Sequence, residues 1–251
     1  MTVLEVCVDS VASAIAAESG GAHRIELCGA LSEGGLTPSL GLLRMVRSKL
    51  KIGVHVMIRP RSGDFIYSDE DFAIMQEDIP LAAHSGANGV VFGLLTSSGG
   101  VDIDRTRALV KLSRPMEVTF HRAIDLTSDP FAALEAIIRS GADRVLTSGA
   151  EATAMLGHAR IRQLVRAAGD RIRIMVGGGV RADNAAQLLL ATQADEWHTA
   201  LRRQHTKEAS RAPGAARIAE QLGNGDRFEP IRSEDVCKLR EILESARAAR
   251  V

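Results

Sequence analysis

Aromatic residues make up only 3% of this 251-residue chain, with a single tryptophan and a single tyrosine. Bases of single-stranded nucleic acid stack on such rings, so their scarcity argues against that class of partner. An excess of either charge is also missing, because 31 basic residues balance 31 acidic ones. No net positive field draws in nucleic acid or an anionic membrane. Nothing approaches the roughly 20 consecutive apolar residues that cross a bilayer. The N-terminus, MTVLEVCVDS, has neither the basic start nor the apolar run of a signal peptide.

Cysteine is sparse as well. Cys7, Cys28 and Cys237 form no close CxxC pair, and their odd number does not make a secreted disulfide framework. A reducing, cytoplasmic setting is the expectation. The lysines (Lys49, Lys51, Lys111, Lys207, Lys238) all miss the C-terminal ends of the predicted strands, which disfavours a Schiff-base aldolase.

What the chain does contain is alternation. Short β-like runs fall at 3–8, 24–28, 52–59, 89–95, 116–122, 144–148, 173–178 and 195–199, separated by amphipathic helical segments. Eight strand–helix units over this length predict one α/β domain, a (β/α)8 TIM barrel spanning 1–251. Thr37-Pro38 and Asp129-Pro130 read as helix starts, and Ser68 followed by Asp69, Glu70 and Asp71 as another. GAHRIEL (21–27), GANGVVF (86–92) and GADRVLT (141–147) repeat one helix-to-strand joint, with Gly21, Gly86 and Gly141 at left-handed caps. Residues 200–232 are polar and rich in breaks, and predict a loop insert after strand eight. A closing helix over 233–249 follows, its buried stripe marked by Val236, Leu239, Leu243 and Ala246.

Side chains alternate between the faces of a strand. Glu5 and Cys7 share a parity, as do Glu26 and Cys28, then His55, Met57 and Arg59, then Glu117, Thr119 and His121. The opposite parity is apolar: Leu4, Val6, Val8, Ile25, Leu27, Val54, Val56, Ile58, Val118 and Phe120. A barrel's outer face packs under helices and must be apolar, so the polar set points inward. Charges there are costly unless paired or wet. A buried ion network, for instance Glu26 with Arg59, is one reading, and a functional pocket is the other.

Within that pocket two chemistries compete. Cys7 and Cys28 lie near the ends of adjacent strands about 4.8 Å apart, so two inward thiols can meet around a soft ion such as Cu(I), assisted by Met57 and His55. Cys237 reads as core. Alternatively, Glu5, Glu26, Arg59 and His121 supply general acid–base groups and an anion holder, or ligands for a divalent metal. Gly177-Gly178-Gly179 after strand seven reads either as a phosphate cradle, with His55, Gly178, Gly179 and His198 as substrate-binding residues, or as a tight βα turn.

At these residues the chain resembles the CutC family of copper homeostasis proteins. The resemblance is carried by EVCVDS (5–10), RIELC (24–28), EGGLTPS (33–39), HVMIRPRSGDFIYSDED (55–71), TFHRAIDLTSDP (119–130), LTSG (146–149) and GGGV (177–180). It implies a (β/α)8 barrel, cytoplasmic copper handling, Cu(I) binding with Cys7 and Cys28 at the proposed ligand positions, and self-association as a dimer or tetramer. The chain departs from the family after strand eight. Where an aromatic-His pair is followed by a small residue, Ser, Ala and Arg, it reads Trp197-His198-Thr199-Ala200-Leu201-Arg202.

Overall fold

The computed structural model describes residues 2–201, 203–205 and 227–249; most of the predicted insert, residues 206–226, lies outside them. Eight parallel strands close into one barrel in chain order, β1-β2-β3-β4-β5-β6-β7-β8, with β8 pairing back onto β1. They are β1 (Val3–Val8), β2 (Arg24–Leu27), β3 (Gly53–Met57), β4 (Gly89–Phe92), β5 (Glu117–Phe120), β6 (Arg144–Thr147), β7 (Arg173–Val176) and β8 (Glu196–Thr199). The described helices are α1 (Val11–Ser19), α2 (Leu40–Arg47), α3 (Asp69–His84), α4 (Ile103–Ser113), α5 (Pro130–Ser140), α6 (Ala154–Ala168), α7 (Ala185–Thr192) and α8 (Ser233–Ala248). Two 3-10 segments, Leu31–Glu33 and Arg122–Leu126, follow β2 and β5. Beyond β8, β9 (Arg203–His205) pairs antiparallel with β10 (Arg227–Glu229).

The apolar parity does what the alternation predicts. Leu4, Val6, Ile25, Leu27, Val54, Ile58, Val118 and Phe120 join helix residues such as Leu43, Met75 and Ile79 in the shell between sheet and helices. A second, small cluster of Cys7, Cys28, Met57 and Val91 sits apart from it, inside the barrel. The two faces of the sheet therefore carry two different populations. Each strand holds one residue of each kind in turn, so a register slip by one position would expose the shell and bury charge against helices.

Helix ends follow their local chemistry, with one correction. The Asp129 carboxylate caps α5, which has Pro130 at its first position, and Ser68 forms a reciprocal capping box with Asp71 at α3. Thr37-Pro38 does not start α2. Ser39 caps that helix at Leu42 N, while the Thr37 hydroxyl accepts the backbone N–H of Arg59 and ties the β2–α2 loop to the end of β3. Gly21, Gly86 and Gly141 all have positive φ at their joints.

Candidate functional site

The barrel interior holds two polar levels. The lower one is built from the first residues of β2, β5, β6 and β8 and the third residues of β1, β3 and β5. Arg24 donates to Glu5 (2.5 Å) and to Glu196 (2.6 Å). Arg144 donates to Glu196 (2.8 Å), to Glu117 (2.9 Å) and to the Thr119 hydroxyl (3.4 Å). His55 lies 3.6 Å from Glu117 and 3.9 Å from Glu5. A hollow of about 930 Å³ opens at this end, lined by Arg24, Glu117, Arg144, Arg173 and Glu196 among others. Its charges are already matched to one another, and barrel chemistry is built at the opposite, C-terminal end of the strands. The candidate site is therefore the upper level.

There the register places Cys7 beside Glu26 and Glu5 beside His198. The Cys7 and Cys28 sulfurs are 3.7 Å apart. The Glu26 Oε2 atom is 3.5 Å from Cys28 Sγ and 3.9 Å from His198 Nε2. The ligand atoms of Cys7, Glu26 and His198 all lie within 4.8 Å of one another. Met57 and Val91 pack against the thiols from inside, and Leu31 and Ala200 from the mouth. Gly35 roofs Cys28: it has φ +90°, and a Cβ there would sit 3.1 Å from the Cys28 sulfur.

Room for two imidazoles comes from the strand between them. A Cβ at Gly89 would lie 2.6 Å from His55 Nε2, and one at Gly93 would lie 2.6 Å from His121 Nδ1. The β4 strand thus gives up side chains where β3 and β5 place rings.

Electrostatics in the chamber are set by burial and close packing. The hydrogen bond from Cys28 lowers the Cys7 thiol to about 5, against the opposing effect of burial and with help from His198. That bond and burial push the Cys28 thiol well above its ordinary value, so Cys28 keeps its proton. Burial, with Cys7 beside it, pushes the Glu26 carboxyl well above the usual carboxylate range. Burial opposes charge on His198, but Glu26, Cys7 and Glu5 outweigh it and raise the imidazole well above its ordinary value. For Glu5 burial is outweighed by Arg24 and His198, and it stays ionised. It accepts from His198 Nδ1 at 2.7 Å, which turns Nε2 toward Glu26.

The remaining predicted residues take other places. Arg59 does not pair with Glu26. Its guanidinium donates to the carbonyls of Glu33, Gly35 and Gly63, and lies 4.9 Å from the centre of the Phe65 ring. His121 also lies against the Phe65 ring, 4.6 Å between centroids with the planes tilted by 54°, and accepts from Ala123 N at the start of the second 3-10 segment. Gly178 and Gly179 have φ of 95° and 84° and stand beside Ser148, Arg122 and Thr153, while only their neighbour Gly177 meets the His198 ring.

Several residues escaped the sequence reading. Arg24 and Glu196 carry the parity of Glu26 and His198 two positions earlier in their strands, which was the available signal. Asp125, within a quoted motif, accepts from the Thr147 hydroxyl, from Ser148 N and Oγ, from Ala150 N and from Arg122. It clamps the β5 and β6 loops together at the mouth.

A closed parallel eight-stranded barrel with thiols, a carboxylate and an imidazole at the C-terminal ends of β1, β2 and β8 defines the class: a (β/α)8 barrel with a soft, metal-compatible chamber at its mouth. The CutC family model matches residues 2–203, and the chain belongs to the CutC family. It is similar to the copper homeostasis protein cutC homolog of Homo sapiens, with 50% identity over 200 residues, 80% of this chain and 73% of the human one. A family protein CutC of Chromobacterium violaceum is 45% identical over 245 residues, covering 97% and 99% of the two chains. A crystal structure of CutC from Streptococcus agalactiae superposes with a TM-score of 0.74 at 32% identity, covering 79% of this chain and 98% of that one.

Proposed function

We propose that this chain acts in copper homeostasis in the cytoplasm and binds Cu(I) through Cys7 and Cys28, with Met57 packed beside them. The single observation that carries the reading is the pair of buried sulfurs 3.7 Å apart, packed with Met57 and Val91 at the barrel mouth. Two thiolates at the roughly 2.3 Å of a metal–sulfur bond reach one ion when their sulfurs lie within about 4.6 Å. Thiolate and thioether are the donors that favour Cu(I). Cys7 is already poised as a thiolate, so binding displaces chiefly the Cys28 proton. Self-association into a dimer or tetramer, implied by the family, belongs to the same reading and is measured by light scattering.

The test is anaerobic Cu(I) titration against a chromophoric chelator. One equivalent per chain is expected for the wild type and none for Cys7→Ser or Cys28→Ser. Stoichiometric uptake by either folded variant overturns the reading.

A second reading, an enzyme acting on a small anionic or sugar-like substrate, is favoured by one observation. Glu26 and His198 face one buried chamber with Oε2 and Nε2 3.9 Å apart, and their surroundings favour the protonated form of each. Acid–base catalysis uses groups shifted in this way. Of the residues predicted for it, Glu5 and Glu26 reach the chamber, whereas Arg59 and His121 are engaged at the rim. A thermal-shift screen of phosphorylated and sugar-acid metabolites should give a stabilising hit that Glu26→Gln removes; no hit rejects this reading.

A further inference from the structure

The chamber holds more donors than Cu(I) requires. Cu(I) is satisfied by two sulfurs, yet a carboxylate and an imidazole crowd the same space. Their spacing is informative. Bonds of about 2.3 Å to sulfur and about 2.0–2.2 Å to nitrogen and oxygen put the corners of a tetrahedron roughly 3.3–3.8 Å apart. The separations here are 3.7 Å for Cys7 to Cys28, 3.5 Å for Cys28 to Glu26 and 3.9 Å for Glu26 to His198. A linear two-sulfur ion would hold its sulfurs nearer 4.6 Å apart. The sulfurs are thus already at tetrahedral, not linear, spacing.

Two further features belong to such a site. Glu26 is 3% exposed, and its Oε1 finds no hydrogen-bond partner among the described residues, an expensive state for a buried carboxyl. The His198 ring is oriented by a carboxylate: Nδ1–H donates to Glu5, and Nε2 is left facing Glu26. A carboxylate behind a ligating histidine is the arrangement that fixes its tautomer in metal sites.

We propose that Cys7, Glu26 and His198, whose ligand atoms lie within 4.8 Å of one another, form the core of a site for a divalent borderline cation of the Zn²⁺ type, with Cys28, which lies against Cys7 and Glu26, swinging in as the fourth donor and Glu5 as the residue that positions His198. Two thiolates, one imidazole and one carboxylate make the mixed soft and hard set that suits such an ion in tetrahedral geometry. The inference rests on the reading of the two thiols as metal ligands, and adds Glu26 and His198 and a second class of ion.

The experiment uses the purified full chain, anaerobically, with Co²⁺ as the spectroscopic probe and Zn²⁺ competing against a chromophoric chelator. The expected result is one Co²⁺ per chain, with a sulfur-to-cobalt charge-transfer band and the intense visible bands of a four-coordinate ion, displaced by one equivalent of Zn²⁺. Glu26→Gln and His198→Gln should each weaken Zn²⁺ by more than about tenfold, since even outer-shell losses cost that much. Circular dichroism and the melting temperature report that both are folded. Cys7→Ser should lose both ions. Weak, six-coordinate Co²⁺ bands in the wild type overturn the inference while Cu(I) uptake leaves the copper reading standing. Tight Zn²⁺ with no Cu(I) uptake does the reverse. Unchanged Zn²⁺ affinity in folded Glu26→Gln and His198→Gln also overturns it. If His198→Gln fails to fold, Glu26→Gln and the wild-type spectrum decide.

Discussion

The two ends of the barrel interior use the same kinds of side chain to opposite effect. At the strand starts, every buried charge meets its complement: Arg24 spans Glu5 and Glu196, and Arg144 spans Glu196 and Glu117. At the strand ends, Glu26 keeps one oxygen without a hydrogen-bond partner among the described residues, and Cys7 and Glu26 crowd around the one imidazole of His198. Burial alone therefore does not mark a functional group. What separates the levels is saturation, and Glu5 joins them, because one carboxylate serves Arg24 below and His198 above.

The sharpest way to break this contrast is at Glu196, which is 4% exposed and pairs with the buried Arg24 and Arg144 and with the exposed Arg173. Glu196→Ala leaves Arg24 only Glu5 and Arg144 only Glu117 as carboxylate partners. Removing one partner of a buried pair costs about 3–5 kcal/mol, so unfolding by urea should shift by that amount. If the lower level is structural, the refolded variant still takes up Cu(I). A loss below about 1 kcal/mol would show that the network is wet and the division false.

Acid tests both levels through histidines held neutral by burial. Burial pushes His55 down to about 4, against the pull of Glu5, and His121 down to about 3, with Arg59 adding to the effect. In the unfolded chain both titrate near 6.5. Below pH 6.5 the unfolded state takes up protons that the folded state refuses, so stability is complete above 6.5 and declines as pH falls toward 4. At pH 4.5 the His121 proton alone corresponds to about 2–3 kcal/mol. His121→Asn retains an acceptor for Ala123 N and should flatten the decline by one proton. An unchanged slope would mean that His121 is charged in the fold.

Much of this was legible in the alternation of residues. Glu5, Cys7, Glu26, Cys28 and His55 lie within or just past regular strand, and there parity dictates the face. Arg59 and His121 lie beyond the last residues of β3 and β5, Met57 and Phe120, where parity still sends them inward but not toward the chamber. Arg59 is drawn to three loop carbonyls, and His121 to the start of a 3-10 segment. These are tertiary partners with no signature in local sequence. Arg24, Arg144 and Glu196 obey the same parity but stand at strand starts, the end where a search for chemistry does not look.

Gly35→Ala sharpens the contrast at the upper level. The loop from Ala30 to Gly35 is held over Cys28 by the Arg59 guanidinium, and Gly35 is the point of contact. A side chain at φ +90° is strained by about 1–3 kcal/mol, and its Cβ presses on the sulfur. Stability should fall by that amount, with Cu(I) affinity falling alongside. Affinity unchanged at lowered stability would mean that the roof moves without the thiol.

The smallest expected effect is at the third cysteine. Cys237 lies on α8, on the outside of the barrel, and its thiol donates to Glu241 one helical turn away. That bond, with burial adding to it, raises the thiol above its ordinary value, the opposite of Cys7. A neutral, outward thiol is a poor ligand, because the thiolate is the form that binds metal. Cys237→Ser should leave the melting temperature and the Cu(I) stoichiometry unchanged, while Cys7→Ser removes the ion at the same thiol count. If Cys237→Ser also lowered the stoichiometry, copper would be titrating thiols wherever they occur. The chamber at the ends of β1 and β2 would then hold no privilege over any exposed sulfur.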